Sequence, residues 1–360
     1  MSIGIIGTRG IPNQYGGYEA AVQELAPRLV EMGHEVVVYC SSLQKTKDSI
    51  WRGVELVYGY DPEDRLGSFG QFIYDLLSNI ASKKHHHDVI FHMGYTSDSL
   101  WFRIWDKRAV HITNMDGMEW MRSKYSPRVQ RFLKKAEKWA ANNSRFMIAD
   151  SIGIRDYLEE NYTTPVKHIT YGVTIPADFD ESILKEYQLS SNKYDLIVAR
   201  IVPENNIEVI ISAKLKSNND IPLLVYGNRN EMLENLQSKF SNEKRIRFME
   251  ANYNRGSMDS IRHFSRFYIH GHSVGGTNPS LLEAMAAESR VLAHDNVFNR
   301  GVLKEGGSYF SSTKDLADLF NSDFEQLISV NQIENNLIRL RTNYNWDKIS
   351  KEYEEVSYIK

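Results

Sequence analysis

Short apolar runs alternate with amphipathic helical segments along this chain, and the alternation starts twice. Ile3–Ile6 is apolar, ends at Gly7 and reads as a buried strand. After a loop to Gly17, Ala21, Val22, Leu25, Leu29 and Met32 recur at helical spacing, and Gly33 stops the helix Tyr18–Met32. Glu35–Tyr39 is the next strand, followed by Val54–Tyr58, Val89–Met93, Val110–Met115 and Phe146–Ala149. The pattern restarts near residue 194. Strands are expected at Tyr194–Ala199, Pro222–Tyr226, Ile246–Phe248, Phe267–Ile269 and Val291–Ala293, with helices at Asn206–Lys216, Glu231–Phe240, Met258–Phe264 and Ser280–Ala287 between them. Strands joined through helices pair in parallel by right-handed connections. The expected class is therefore α/β, with two Rossmann-like domains. Their expected extents are 1–172 and 173–343, with a C-terminal helix over 344–360 that crosses back to the first domain.

A length of 360 residues suits two domains with sizeable cores. No apolar run approaches the ~20 residues needed to span a bilayer, and Met1 to Gly7 has no signal-peptide pattern. One cysteine, Cys40, rules out an internal disulfide and fits a reducing compartment. It ends a strand, which favours buried filler over a nucleophile. The net charge of −3 argues against a nucleic-acid partner. His85-His86-His87 has no acidic or cysteine partners at ligand spacing, so a polar loop is expected there and no metal site.

The chemistry concentrates in loops that follow strands. His272 to Ala286 reads as a loop running into a helix, with Asn278 as N-cap and Pro279 at the first helical position. Gly275 and Gly276 admit close approach of a ligand to the backbone. The N–H groups and positive dipole end at that helix N-terminus suit a phosphate. Glu283, one turn further in, suits a pair of hydroxyls. The plain alternative is a capped helix packed on a sheet. Arg200 directly follows a strand and can chelate a diphosphate; pairing with Glu204 is the alternative. In the first half, Arg9 can pair with phosphate, and Gly16-Gly17 opens a helix. Asp116 follows a strand and can orient or deprotonate a hydroxyl, or simply cap the next turn. Ser126 to Asn143 is a basic amphipathic helix with Val129, Phe132, Leu133, Ala136 and Ala140 on its apolar face. Lys134 and Lys135 lie on its other faces, with Glu119, Arg122 and Lys124 just before it. Such a helix suits an anionic membrane or acceptor surface, or a solvated face over a core.

The chain resembles the GT-B glycosyltransferases of retaining family 4, in their rhamnosyltransferase-like branch. The resemblance covers essentially the whole chain. It is carried by Gly4 to Pro12 with Tyr15 to Glu19, by Asn114 to Trp120 with Arg122 and Lys124, and by Arg200 with Pro203 to Asn206. His272 to Ala286, Ala293 to Asn296 and Phe298 to Arg300 complete it, and Tyr344 to Asp347 looks like the crossing segment. The resemblance implies that Glu283 binds the donor ribose, that Arg200 binds the diphosphate, and that the backbone of Gly276, Thr277 and Asn278 meets the diphosphate or sugar. It puts Gly16 and Gly17 beside the donor phosphate and acceptor, and Asp116 at a catalytic position. Two departures stand out. Gly275 falls where relatives carry a glutamate, and Asn205 falls where they carry a lysine. Diphosphate neutralisation would then lean on Arg200, helix N-termini and Arg9.

The implied activity is metal-independent, retaining transfer of a sugar, L-rhamnose from dTDP-rhamnose by preference, with no cofactor. The implied acceptor is a lipid-diphosphate-linked saccharide in surface polysaccharide assembly. The implied location is cytoplasmic, peripheral at the inner membrane face. Two rivals stand beside this reading: a nucleotide-sugar 2-epimerase on the same fold, and a non-catalytic sugar-binding partner of another transferase.

Overall fold

The computed structural model describes every residue except Tyr15, Asp116, Ser123, Lys124, Tyr253, Ile359 and Lys360. The chain forms two compact units, Met1–Gly172 with Trp346–Lys360, and Val173–Asn345.

Unit 1 is built on strands β1 (Ser2–Ile6), β2 (Glu35–Ser41), β3 (Ile50–Trp51), β4 (Val54–Gly59), β5 (Val89–Met93), β6 (Val110–Asn114), β7 (Phe146–Ala149) and β8 (Val166–His168). They lie in the order β3-β4-β2-β1-β5-β6-β7-β8. Only the pairing of β3 with β4 is antiparallel. Ile3, Ile5, Ile6, Ile90 and Ile112 are fully buried, as expected of parallel strands covered on both faces. Cys40 is buried in β2, and burial pushes its thiol up to about 11, which suits filler and not a nucleophile. His87, from the histidine tract, is buried beside the sheet. It bonds to Ser2 Oγ and Tyr39 Oη at 2.9 Å each, and burial pushes it down to about 4.

The helix Trp346–Tyr358 packs inside unit 1. Asn114 Nδ2 donates to Tyr353 Oη at 3.0 Å, the Phe91 and Tyr353 rings lie 5.2 Å apart, and His34 Nε2 sits 3.0 Å from Glu354. Gly172 is small for this helix: a Cβ there would lie 2.5 Å from Trp346.

Unit 2 contains β9 (Asp195–Val198), β10 (Leu223–Gly227), β11 (Ile246–Glu250), β12 (Phe267–His270), β13 (Val291–His294) and β14 (Ser308–Phe310). All pair in parallel, in the order β11-β10-β9-β12-β13-β14. At the amino end of β9, buried Asp195 accepts from Lys214 Nζ and from Arg266 Nε and Nη2, each at 2.8 Å. The opposite, carboxyl end carries Arg200 and the loop that begins at Gly271. The chain leaves β9 toward β10 and returns on the other side as β12, so the loops after β9 and β12 diverge at a switch point. Open parallel sheets bind ligands at such points.

Candidate functional site in unit 2

The switch point of unit 2 is framed by residues 199–206 after β9 and 271–278 after β12. The two loops are stitched together by side chains. Asn205 Nδ2 donates to the Arg200 carbonyl at 2.7 Å, and its Oδ1 accepts from His272 Nδ1 at 2.8 Å. Asn206 Nδ2 donates to the Gly271 carbonyl at 2.8 Å. The Ser273 amide and hydroxyl both donate to the Glu204 carbonyl at 2.9 Å. From the far side, Asn296 and Asn299 each donate to the His272 carbonyl at 2.9 Å. Gly271 permits the contact, because a Cβ there would lie 2.2 Å from the Asn205 carbonyl oxygen. Irregular backbone held this firmly is preorganised for a ligand. Asn205, which replaces the resemblance's lysine, thus acts as a brace and not as a charge. Its donated bond to Arg200 leaves its oxygen for His272, so His272 carries its proton on Nδ1.

The helix Pro279–Ala286 begins at this loop. Asn278 caps it, accepting from the Ser280 amide at 2.9 Å, and Pro279 sits in its first turn. Ser280 Oγ donates to the Val198 carbonyl at 2.9 Å; Tyr268 Oη reaches the same carbonyl at 3.2 Å and bonds Ser280. The helix start is thereby fixed to the end of β9. Gly275 has φ +120°, a conformation side chains disfavour, and a Cβ there would lie 3.2 Å from His272 Nε2. The backbone and the histidine together disfavour a larger residue.

Arg200 is exposed, and its guanidinium has no protein partner among the described residues. The alternative pairing with Glu204 does not form. Glu204 is buried, and both of its carboxylate oxygens lack a hydrogen-bond partner among the described residues. Glu283 accepts from Arg262 Nη2 at 2.5 Å, while its side chain stays 40% exposed. Burial alone would lower the Arg262 pKa, but Glu283, Tyr268 and Asp259 beside it hold it above the ordinary value. Arg262 and Glu283 form an ion pair that sequence reasoning missed: Arg262 lies on Arg255–His263, and no local spacing links it to Glu283. His270 ends β12, buried with no partner for Nε2 among the described residues; burial first, then His272 and His294, push it down to about 3. An exposed guanidinium, a helix N-terminus and a carboxylate one turn in are the parts of a site for a phosphate ester carrying a diol.

The other expected residues lie in unit 1. Arg9 is held in a two-point bond with Glu63, at 2.7 and 2.6 Å. Gly16 precedes the helix Gly17–Glu31. Buried Glu19 in its first turn accepts from the Arg9 amide at 2.8 Å, and a Cβ on Gly16 would lie 3.2 Å from its Oε2. A carboxylate therefore already stands at that N-terminus. Glu119 pairs with Arg122 at 2.5 Å, both side chains being nearly buried. Lys134 bonds Glu137 at 2.9 Å and sits over the Trp120 and Tyr157 rings. Buried Glu137 also accepts from Trp120, Tyr157 and Tyr162. Lys135 is exposed. Asp116 and Lys124 lie outside the described residues. On the helix Pro127–Asn143 the buried stripe is Leu133, Ala136, Glu137, Ala140 and Ala141. Val129 is exposed and Phe132 half-buried, so the expected apolar face is displaced by the inward Glu137 cluster. Among the described residues no group of His, Cys, Asp and Glu is placed to hold a metal ion. No described helix is long and apolar enough to cross a membrane.

Residues 1–174 match the family described as Domain of unknown function (DUF1972), and residues 180–341 match Glycosyl transferases group 1. No curated protein matches the chain. Its fold is similar to that of the sucrose-phosphate synthase from Thermosynechococcus elongatus, at TM-score 0.80 and 15% identity, covering 99% of this chain and 98% of that one. It is also similar to Anabaena Alr3699/HepE in complex with UDP-glucose, at TM-score 0.76 and 13% identity over 99% of both chains. The trehalose 6-phosphate synthase from Burkholderia multivorans gives TM-score 0.70 at 12% identity, over 99% of this chain and 96% of that one.

Proposed function

We propose that this chain, a glycosyltransferase whose residues 180–341 match the group 1 glycosyl transferases on a GT-B fold, holds a nucleotide diphosphate sugar in unit 2. The observation that carries the reading is Arg200, exposed at the switch point beside a capped helix N-terminus, with the Glu283 carboxylate one turn in. In this reading Arg200 and the amides of Gly276, Thr277 and Asn278 take the diphosphate, and Glu283 takes the ribose diol. The same cation and amides stabilise charge growing on the leaving diphosphate, without a metal. Transfer is retaining: the acceptor attacks from the face the diphosphate leaves, and a departing phosphate oxygen receives the acceptor proton. Asp116 orients the acceptor hydroxyl, and Gly16 and Gly17 adjoin it. The UDP-glucose bound in a protein of the same fold supports a nucleotide-sugar donor. L-rhamnose from dTDP-rhamnose is our preferred donor and a lipid-diphosphate-linked saccharide our preferred acceptor, at the inner face of the membrane. Exposed Lys135, Arg128 and Arg131 on the helix Pro127–Asn143 support that placement.

Incubating the protein with dTDP-rhamnose and a lipid-linked saccharide tests this. Release of dTDP that depends on the acceptor is expected. Epimerised sugar without acceptor would point to the epimerase, and binding without turnover to a non-catalytic partner. Asp116→Asn should lower turnover more than donor affinity.

A further inference from the structure

The helix Ser68–Ser82 is mounted with its polar side inward. Its buried residues are Gly70, Tyr74, Asp75, Ser78, Asn79 and Ser82. Its apolar residues Phe69, Phe72, Ile73, Leu76, Leu77 and Ile80 fall on the opposite side at helical spacing, and none of them is buried. Phe69 is 64% exposed and Ile80 47%, and Leu66 just before the helix is 50% exposed.

The inward face is locked by hydrogen bonds. Tyr74 Oη donates to the Thr8 and Tyr39 carbonyls at 2.8 and 2.7 Å. Ser97 Oγ donates to Asp75 Oδ2, and Asn79 Nδ2 to Asp98 Oδ1, at 2.5 Å each. Rotating the helix to hide its apolar side would strand this network in the core, so the outward face is fixed by the fold. That face continues sideways. Phe69 packs on Phe72, and Phe72 lies 5.7 Å from Phe132 on the helix Pro127–Asn143, where Val129 is exposed one turn away.

The exposed charge along this stretch of chain is mostly positive. Between Asp64 and Lys138, ten Lys and Arg side chains are exposed, against Asp64 and Asp88 as the exposed carboxylates among the described residues. Arg65 precedes the helix, Lys83 and Lys84 follow it, and Arg128, Arg131 and Lys135 sit within about a turn of Phe132. Apolar side chains standing out among cations, with almost no carboxylates, match the boundary between headgroups and acyl chains of an anionic bilayer. A second copy of the chain would bring the same cations against each other.

We propose that the outward face of Ser68–Ser82, with Leu66, Val129 and Phe132, is the surface by which unit 1 sits in an anionic lipid bilayer, Phe69 and Ile80 entering the acyl region. This deepens the membrane placement proposed above and rests on it, but it does not depend on the donor site. The test is co-sedimentation of the full chain with phosphatidylcholine vesicles, with and without phosphatidylglycerol, at low and high salt. Binding is expected on the anionic vesicles and only weakly on the neutral ones. Phe69→Ser and Ile80→Ser should each weaken it by roughly tenfold or more at either salt, and Lys135→Glu should weaken it mainly at low salt. Both apolar side chains are exposed, so an unchanged melting temperature and unchanged dTDP binding certify each variant as folded. Wild-type binding that the serine variants leave intact overturns the proposal, as does wild-type indifference to anionic lipid. A wild-type dimer that Phe69→Ser converts to monomer in sedimentation velocity overturns it in favour of self-association. Lipid binding without nucleotide binding would sink the donor reading and leave this one standing.

Discussion

Arg200 and Glu283 differ in what their removal tests. Arg200 is exposed and touches no protein partner among the described residues, so Arg200→Ala should leave the melting temperature unchanged. It should weaken dTDP binding by about 1.5–3 kcal/mol, roughly ten- to hundredfold in Kd by calorimetry. Equal affinity in the variant would remove Arg200 from the site. Glu283 has two jobs, because its carboxylate also pairs with buried Arg262. Glu283→Gln should weaken nucleotide binding by ~1–3 kcal/mol and also lower stability, since Arg262 loses a charge partner. A loss of stability with intact nucleotide affinity would make Glu283 structural. His270 adds an acid sensitivity of definite sign. Its folded value, about 3, lies below the ~6.5 of an unfolded histidine, so the unfolded chain binds a proton that the native state refuses. Its contribution to stability is complete above about pH 6.5 and is lost as pH falls from there toward 3. The ring should stay neutral at pH 5 by NMR; a protonated ring there would refute this.

At the scale of elements, legibility followed burial. Strands covered on both faces read as apolar runs, unbroken in β7 and interrupted only by His92 in β5, and the extents of both agree with the sequence reading. The edge strands β3, β8 and β14 are two or three residues long, too short for any periodicity to mark them. The loop-to-helix stretch from His272 was legible because its signals are local: an N-cap, a proline and two glycines. The brace around it was not. Asn205, Asn206, Asn296 and Asn299 meet His272 and Gly271 only because parallel strands gather distant loops at one edge. The helix Ser68–Ser82 was missed although its apolar residues recur at helical spacing; what no periodicity could tell is that its polar face is the one turned to the core. The brace makes a prediction at this scale. Asn205→Ala should disconnect the two loops and lower nucleotide-sugar affinity, and Asn205→Asp, which can accept from His272 but cannot donate to the Arg200 carbonyl and adds a negative charge, should lose at least as much. Unchanged affinity in Asn205→Ala would show that the brace is dispensable.

At the scale of the whole molecule, two units with separate cores need not unfold together. Heating should give two transitions by calorimetry, and saturating dTDP should raise only the one belonging to unit 2. A shift of both would mean that the units unfold as one. The return of the chain to unit 1 at Trp346 has a consequence in time. Unit 2 is one unbroken stretch, whereas the packing partners of Phe91 and Asn114 on the last helix are made after all of it. At roughly 5–20 residues per second, a ribosome holds the first sheet without that helix for on the order of ten seconds or more. Of the two units, the one begun first is therefore the one completed last, and its exposed inner surface is what a chaperone would meet on the nascent chain.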